Sequence, residues 1–306
     1  MPEIVKRKAL GRDAGLTSRM FLTGGLLGLL YVVFAVVLFS VLDVGVVAMV
    51  VIVGGLALFQ YFTSDKLALA ASGAKVVSAN EAPELHATVE RLCALADLPK
   101  PRLAIIDSDV PNAFATGRNP KHAAVAVTRG LWERLEPREV EGVLAHELAH
   151  IGNRDVLVMT LASFFAMLAG VLTRFALYSG MLGGGRGRDS NGPPIWLIVL
   201  VVSIATYAIS FLLIRALSRY REYAADRGAA LLTGAPENLM SALQKITGEI
   251  ARIPQRDLRQ VESMNAFFIV PTNIRSRAAG LLQTHPPTEK RLAALAEIAR
   301  EMGRPV

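Results

Sequence analysis

Cysteine is almost missing from this 306-residue chain, and charge is scarce. The single thiol, Cys93, excludes an intrachain disulfide and any zinc site built on cysteine. It stands in EAPELHATVERLCALADL, where Leu85, Val89, Leu92 and Ala96 recur at helical spacing. That reads as a buried core thiol rather than a reactive one. Charged residues make up 19% of the chain against 52% hydrophobic residues, too little charge for an ordinary soluble globule. There is no Gly-rich phosphate loop, no internal repeat and no basic stripe with interleaved aromatics. The net charge of +7 therefore does not point to nucleic acid. The basic residues lie beside apolar runs, a pattern that orients membrane segments.

Long uncharged runs are what the chain has instead. Met20 to Leu42 and Val44 to Ser64 carry no charge and are separated only by Asp43, so they predict a tight hairpin of two membrane helices. The first reads as an anchor and not a cleaved leader, being too long for a leader's apolar region and leading straight into a second span. A third run, Val156 to Thr173, is closed by Asp155 and Arg174; a fourth, Ile195 to Ile214, is closed by Arg215. The alternative for this later pair is buried helices of a soluble domain. The stretch 174–194 between them is rich in Gly and Arg, matches no motif, and predicts an outer loop.

Lys6, Arg7, Lys8, Arg12 and Arg19 place the amino-terminal tail in the cytosol of a multi-pass cell-membrane protein, and Arg215, Arg219 and Arg221 mark the last exit. Arg174, Arg186 and Arg188 fall on the outer side and count against this orientation. The expected division is a basic tail (1–19), a first hairpin (20–64), a cytosolic part (65–155), a second hairpin (156–214) and a second cytosolic part (215–306). The fold class is mainly α with a small β-sheet. A helix fits 81–97, strands fit 102–107 and 122–128, and a possible strand fits 112–117. Another helix opens at Pro137.

That helix carries His146-Glu147-Leu148-Ala149-His150. Histidines four apart share one helical face and can share one metal ion, and Glu147 is placed to act as general base on an attacking water. Zinc suits such ligands. Two surface histidines beside a solvated glutamate are the bland alternative; Val140, Val143 and Leu144 leading into the motif argue for the site. A third ligand is needed, and none of the remaining three histidines follows His150 at short spacing. Downstream, Glu222 and Asp226 are four apart in SRYREYAAD. They read equally as a zinc ligand with a histidine-orienting carboxylate or as a charged helix surface paired with arginines.

HELAH before an apolar run, SRYREYAAD after two runs, PNAFATG upstream and HPPTEKRL near the end together resemble the HtpX-type membrane metallopeptidases, bacterial relatives of the CAAX prenyl proteases. The likeness is ordered along residues 20–295. It implies a gluzincin-like catalytic domain, a four-helix membrane anchor and a role in membrane-protein quality control, with unfolded or membrane proteins as substrates. It implies one zinc ion held by His146, His150 and Glu222, with Asp226 behind a ligand. It further implies that Asn112, Ala113 and Phe114 belong to an edge strand that takes an extended substrate, whereas from the sequence alone Phe114 reads as a core aromatic. His285 would stabilise the oxyanion and Arg291 would anchor the region through nearby carboxylates, where a lone histidine beside prolines is ordinarily structural.

Competing classes fare less well. An intramembrane protease would bury the motif in hydrocarbon, but Arg134, Glu136, Arg138, Glu139, Glu141 and Asp155 surround it. A prenyl-protein protease shares the chemistry, but such relatives have more spans and a longer chain. A scaffold with structural zinc does not need Glu147, and a transporter lacks an ionisable residue within the runs.

Overall fold

The computed structural model describes residues 14–42, 46–183, 194–253, 269 and 285–304. Two apolar helices come first, α1 (Ala14–Leu42) and α2 (Val46–Ala71). A mixed segment follows: β1 (Lys75–Val76), α3 (Pro83–Ala96), β2 (Arg102–Ile106), β3 (Ala113–Gly117), β4 (Ala123–Thr128), α4 (Arg129–Arg134) and α5 (Pro137–Gly152). Two long helices come next, α6 (Asp155–Gly183) and α7 (Ile195–Thr233), then α8 (Pro236–Arg252) and α9 (Thr288–Glu301). The chain is mostly helical with a small mixed sheet.

The sheet has the order β1-β2-β4-β3. β2 runs parallel to β4, while β1 and β3 are antiparallel to their neighbours, so β3 is an edge strand. Alternation along β4 sends Val125 and Val127 to one face and Ala124 and Ala126 to the other, and both faces are covered. On one side the core gathers Leu92 and Cys93 of α3, Leu144 and Leu148 of α5, Leu243 of α8 and Leu295 of α9. On the other, Phe114 packs with Leu69 of α2, Ala104 and Ile106. Burial pushes the Cys93 thiol up to about 11, which makes it an inert core residue.

α5 is fastened at its start and close-packed along its length. The Glu139 carboxylate accepts the Glu136 N–H at 2.8 Å, the Ser241 hydroxyl at 2.5 Å and the Lys245 ammonium at 2.8 Å. Gly142 lets α8 approach: a Cβ there would sit 3.0 Å from the Leu239 nitrogen. The helix ends at Gly152, and α6 starts after only Asn153 and Arg154. Arg154 takes φ +58°, the left-handed conformation that turns the chain sharply.

Among the described residues, three segments are long and apolar enough to cross a membrane: Ala14–Ser40, Asp155–Tyr178 and Ile195–Thr233. Phe21, Val32, Val171 and Val201 point outward from them, as lipid-facing side chains do. Ala169, Ala176 and Val199 fill one contact between these helices, together with Phe34 of α1. Tyr31 donates its hydroxyl to the Ala162 carbonyl at 2.5 Å, which satisfies a polar group inside the apolar bundle.

Three expected boundaries differ. The second run forms helix α2, which does not stop at Ser64 but continues through Asp65 and Lys66 to pack Leu69 on the sheet. The third run does not close at Arg174, because apolar residues continue the helix to Gly183 and one arginine does not break backbone bonding. Residues 174–183 of the expected outer loop are therefore helical, and 184–193 lie outside the described residues. The division at 215 falls inside α7, which holds neither Pro nor Gly from Ile195 to Arg227 and runs unbroken from the apolar bundle to Glu222.

Candidate metal centre

α5 presents His146 and His150 from successive turns, with their rings nearly perpendicular at 85° and centroids 4.7 Å apart. Their Nε2 atoms are 3.1 Å apart. Glu222 arrives from α7, with Oε2 3.5 Å from His146 Nε2 and Oε1 3.4 Å from His150 Nε2. A tetrahedral zinc with bonds of about 2.0–2.1 Å has ligand-to-ligand edges of about 3.3 Å. The three edges here bracket that value, so the donor set fits zinc in both chemistry and spacing. The group is buried.

Each histidine is backed by an aspartate, and each aspartate by an arginine. Asp226 Oδ1 is 3.0 Å from His146 Nδ1, and Arg291 grips Asp226. Asp155 Oδ2 is 2.6 Å from His150 Nδ1, and its Oδ1 faces Arg221 Nε at 2.9 Å. Burial disfavours an imidazolium at His150, but Asp155 and Glu222 outweigh it and raise its pKa to about 10. At His146 burial likewise opposes protonation, and Asp226 and Glu222 again win, so its pKa is raised.

Glu147 is buried beside the pair and takes a backbone hydrogen bond from Ala115 of the edge strand. Burial pushes its carboxyl above the usual carboxylate range. His285 lies with Nδ1 3.1 Å from Glu222 Oε2, and its buried Nε2 has no hydrogen-bond partner among the described residues. Arg291 is 1% exposed and also donates to the Ile269 carbonyl at 2.7 Å.

The expected substrate strand divides. β3 is at the edge, as the resemblance implied, but its side chains do not all face a cleft. Phe114 points into the core on the sheet's far face, since strand alternation puts it opposite to Ala113 and Ala115. Asn112 uses its side-chain oxygen to accept the Ile269 N–H at 3.0 Å. The substrate role that the resemblance implied would therefore fall to the backbone of β3 rather than to the Asn112 or Phe114 side chains. The sequence reading missed Asp155, Arg221, Ala115 and Ile269. Asp155 was legible only as a charge five residues past His150; the two-residue turn that folds it back was not.

The sequence matches peptidase family M48 over residues 79–299. The chain belongs to that family. It is 54% identical over 299 residues to a protein named Protease HtpX homolog from Moorella thermoacetica, covering 97% of this chain and 98% of that one. It is 52% identical to Protease HtpX homolog 2 of Methanosarcina acetivorans, covering 95% and 98%. Among solved structures it is similar to S. mikatae Ste24p, with a TM-score of 0.50 and 18% identity. That likeness covers 89% of this chain but spans only 62% of the Ste24p chain, and it bears on the fold alone. Membership of M48 makes the chain a metallopeptidase, and its apolar helices make it a membrane one.

Proposed function

We propose that this M48 peptidase is a zinc-dependent endopeptidase that hydrolyses unfolded or membrane proteins in quality control, using one zinc ion per chain. The observation that carries the reading is the buried trio His146, His150 and Glu222 with mutual spacings of 3.1–3.5 Å and Glu147 beside it. Zinc, when bound, supplies Lewis acidity that polarises the scissile carbonyl and acidifies an attacking water.

The chain's own groups do the rest. Glu147, its carboxyl pKa raised by burial, takes the proton from the attacking water and later delivers it to the leaving amine. His285 Nε2 donates to the oxygen of the scissile carbonyl as charge builds there. Asp226 and Asp155 hold the ligand histidines with Nε2 turned to the metal. An extended substrate adds alongside β3, the last strand of the sheet, through backbone hydrogen bonds.

The reading includes a gluzincin-like arrangement, two histidines on one helix and a glutamate on a later one. It includes a four-helix anchor in the cell membrane, with α2 as the fourth crossing, and an active site on the cytosolic side. The basic residues flanking the runs support that orientation.

The test pairs metal analysis with cleavage of an unfolded protein by the detergent-purified chain. Wild type and Glu147→Gln should each hold near one zinc, and only wild type should cut. A Glu147→Gln variant that cuts at the wild-type rate would sink the mechanism.

A further inference from the structure

Asp155 and Arg221 lie outside the metal trio, yet both are buried, at 1% and 7% exposure. Asp155 is the first residue of α6, and Arg221 stands on α7 immediately before Glu222. One carboxylate oxygen is 2.6 Å from His150 Nδ1, and the other is 2.9 Å from Arg221 Nε. We propose that Asp155 and Arg221 form a positioning pair that holds His150 for the metal and makes the metal site depend on how α6 and α7 are joined. This rests on the metal-centre reading above.

Three observations carry it. The Asp155–Arg221 ion pair parallels the arrangement behind the other histidine, where Arg291 hydrogen-bonds Asp226 with two nitrogens and Asp226 lies 3.0 Å from His146 Nδ1. A carboxylate behind a ligand histidine sets its tautomer and ring orientation, and a buried guanidinium 2.9 Å away keeps that carboxylate charged and in place by Coulomb attraction. Next, the chain reaches this geometry through a two-residue turn with Arg154 at φ +58°. A longer connection would let Asp155 drift from His150. Last, α6 and α7 already pack through Ala169, Ala176 and Val199. An ion pair that served only to dock them would not need its second oxygen on a ligand's ring nitrogen.

The same turn of α7 thus delivers Glu222 to the metal and Arg221 to the group that orients His150. A small rotation of α7 would move two of the three ligands together.

The experiment measures zinc affinity by competition with a chromophoric chelator, using the full chain purified in detergent. Asp155→Asn should bind zinc about 10–100-fold more weakly. Arg221→Gln should weaken it in the same direction, and Arg221→Lys should recover part of the loss. The double variant Asp155→Asn/Arg221→Gln should be little weaker than Asp155→Asn alone, because both act through His150. Arg227→Ala, also on α7, breaks an ion pair with the exposed Glu301 of α9 and should leave affinity unchanged.

Wild-type zinc affinity in both Asp155→Asn and Arg221→Gln overturns the proposal, as does a double variant whose loss is the full sum of the singles. Should Asp155→Asn not fold, the Arg221→Gln and Arg221→Lys pair decides alone. A His146→Ala variant that binds zinc as wild type does would overturn the metal-centre reading itself, a distinct result.

Discussion

Arg291 holds Asp226 with two nitrogens, Nε at 2.8 Å from Oδ2 and Nη2 at 2.6 Å from Oδ1, inside a site where neither residue meets solvent. The fork matches the carboxylate, and Nη1 is left for the Ile269 carbonyl. Replacing Arg291 with Leu strands a buried carboxylate. The expected cost is about 3–5 kcal/mol of stability. Arg291→Lys should recover little of it, because an ammonium cannot make both contacts. Denaturant unfolding checks this, and an unchanged midpoint in Arg291→Leu would show that the pair holds nothing.

His285 separates chemistry from metal binding. If its Nε2 meets the developing oxyanion, His285→Ala should lower kcat by about 10²–10³-fold. KM and zinc content should stay near wild type. Turnover unchanged by the substitution would return His285 to the structural reading that its neighbouring prolines suggest.

Zinc affinity should rise with pH. His146 and His150 have raised pKa values, about 10 for His150, so each keeps its proton to higher pH than a free imidazole. A metal must displace those protons, and the competition eases as pH increases. The sign is therefore weak binding on the acid side and stronger binding toward the alkaline side. Chelator competition at about pH 6 and about pH 8 tests it. Equal affinity at both would mean that the histidines are not protonated there before the metal enters.

Phe114 should behave as a core residue. Phe114→Ala removes an aromatic packed against Leu69 and Ile106 and should cost about 3–5 kcal/mol. Phe114→Leu should cost less and leave the specific activity of the folded enzyme near wild type. A selective rise in KM with stability intact would restore it to the substrate cleft.

The sequence by itself determined the class of protein and the heart of the site. Uncharged runs of membrane length and charge scarcity announced the bilayer, because an apolar stretch that long has few other stable homes. HELAH was legible because its chemistry is local: helical periodicity alone puts His146 and His150 on one face. The α3 helix and strands β2, β3 and β4 were legible for the same reason, from local residue pattern, while the two-residue β1 was not.

Tertiary structure decided what spacing leaves open. From spacing alone Glu222 read equally as a ligand or a surface carboxylate; the tertiary structure buries it beside His146 and His150, because α5 packs against that face of α7. Phe114 could face either side of the sheet until the register with β4 set its direction. Asp155 looked like the polar end of a membrane helix. It became the partner of His150 only through a two-residue turn and a left-handed arginine, a backbone conformation that side-chain pattern does not encode.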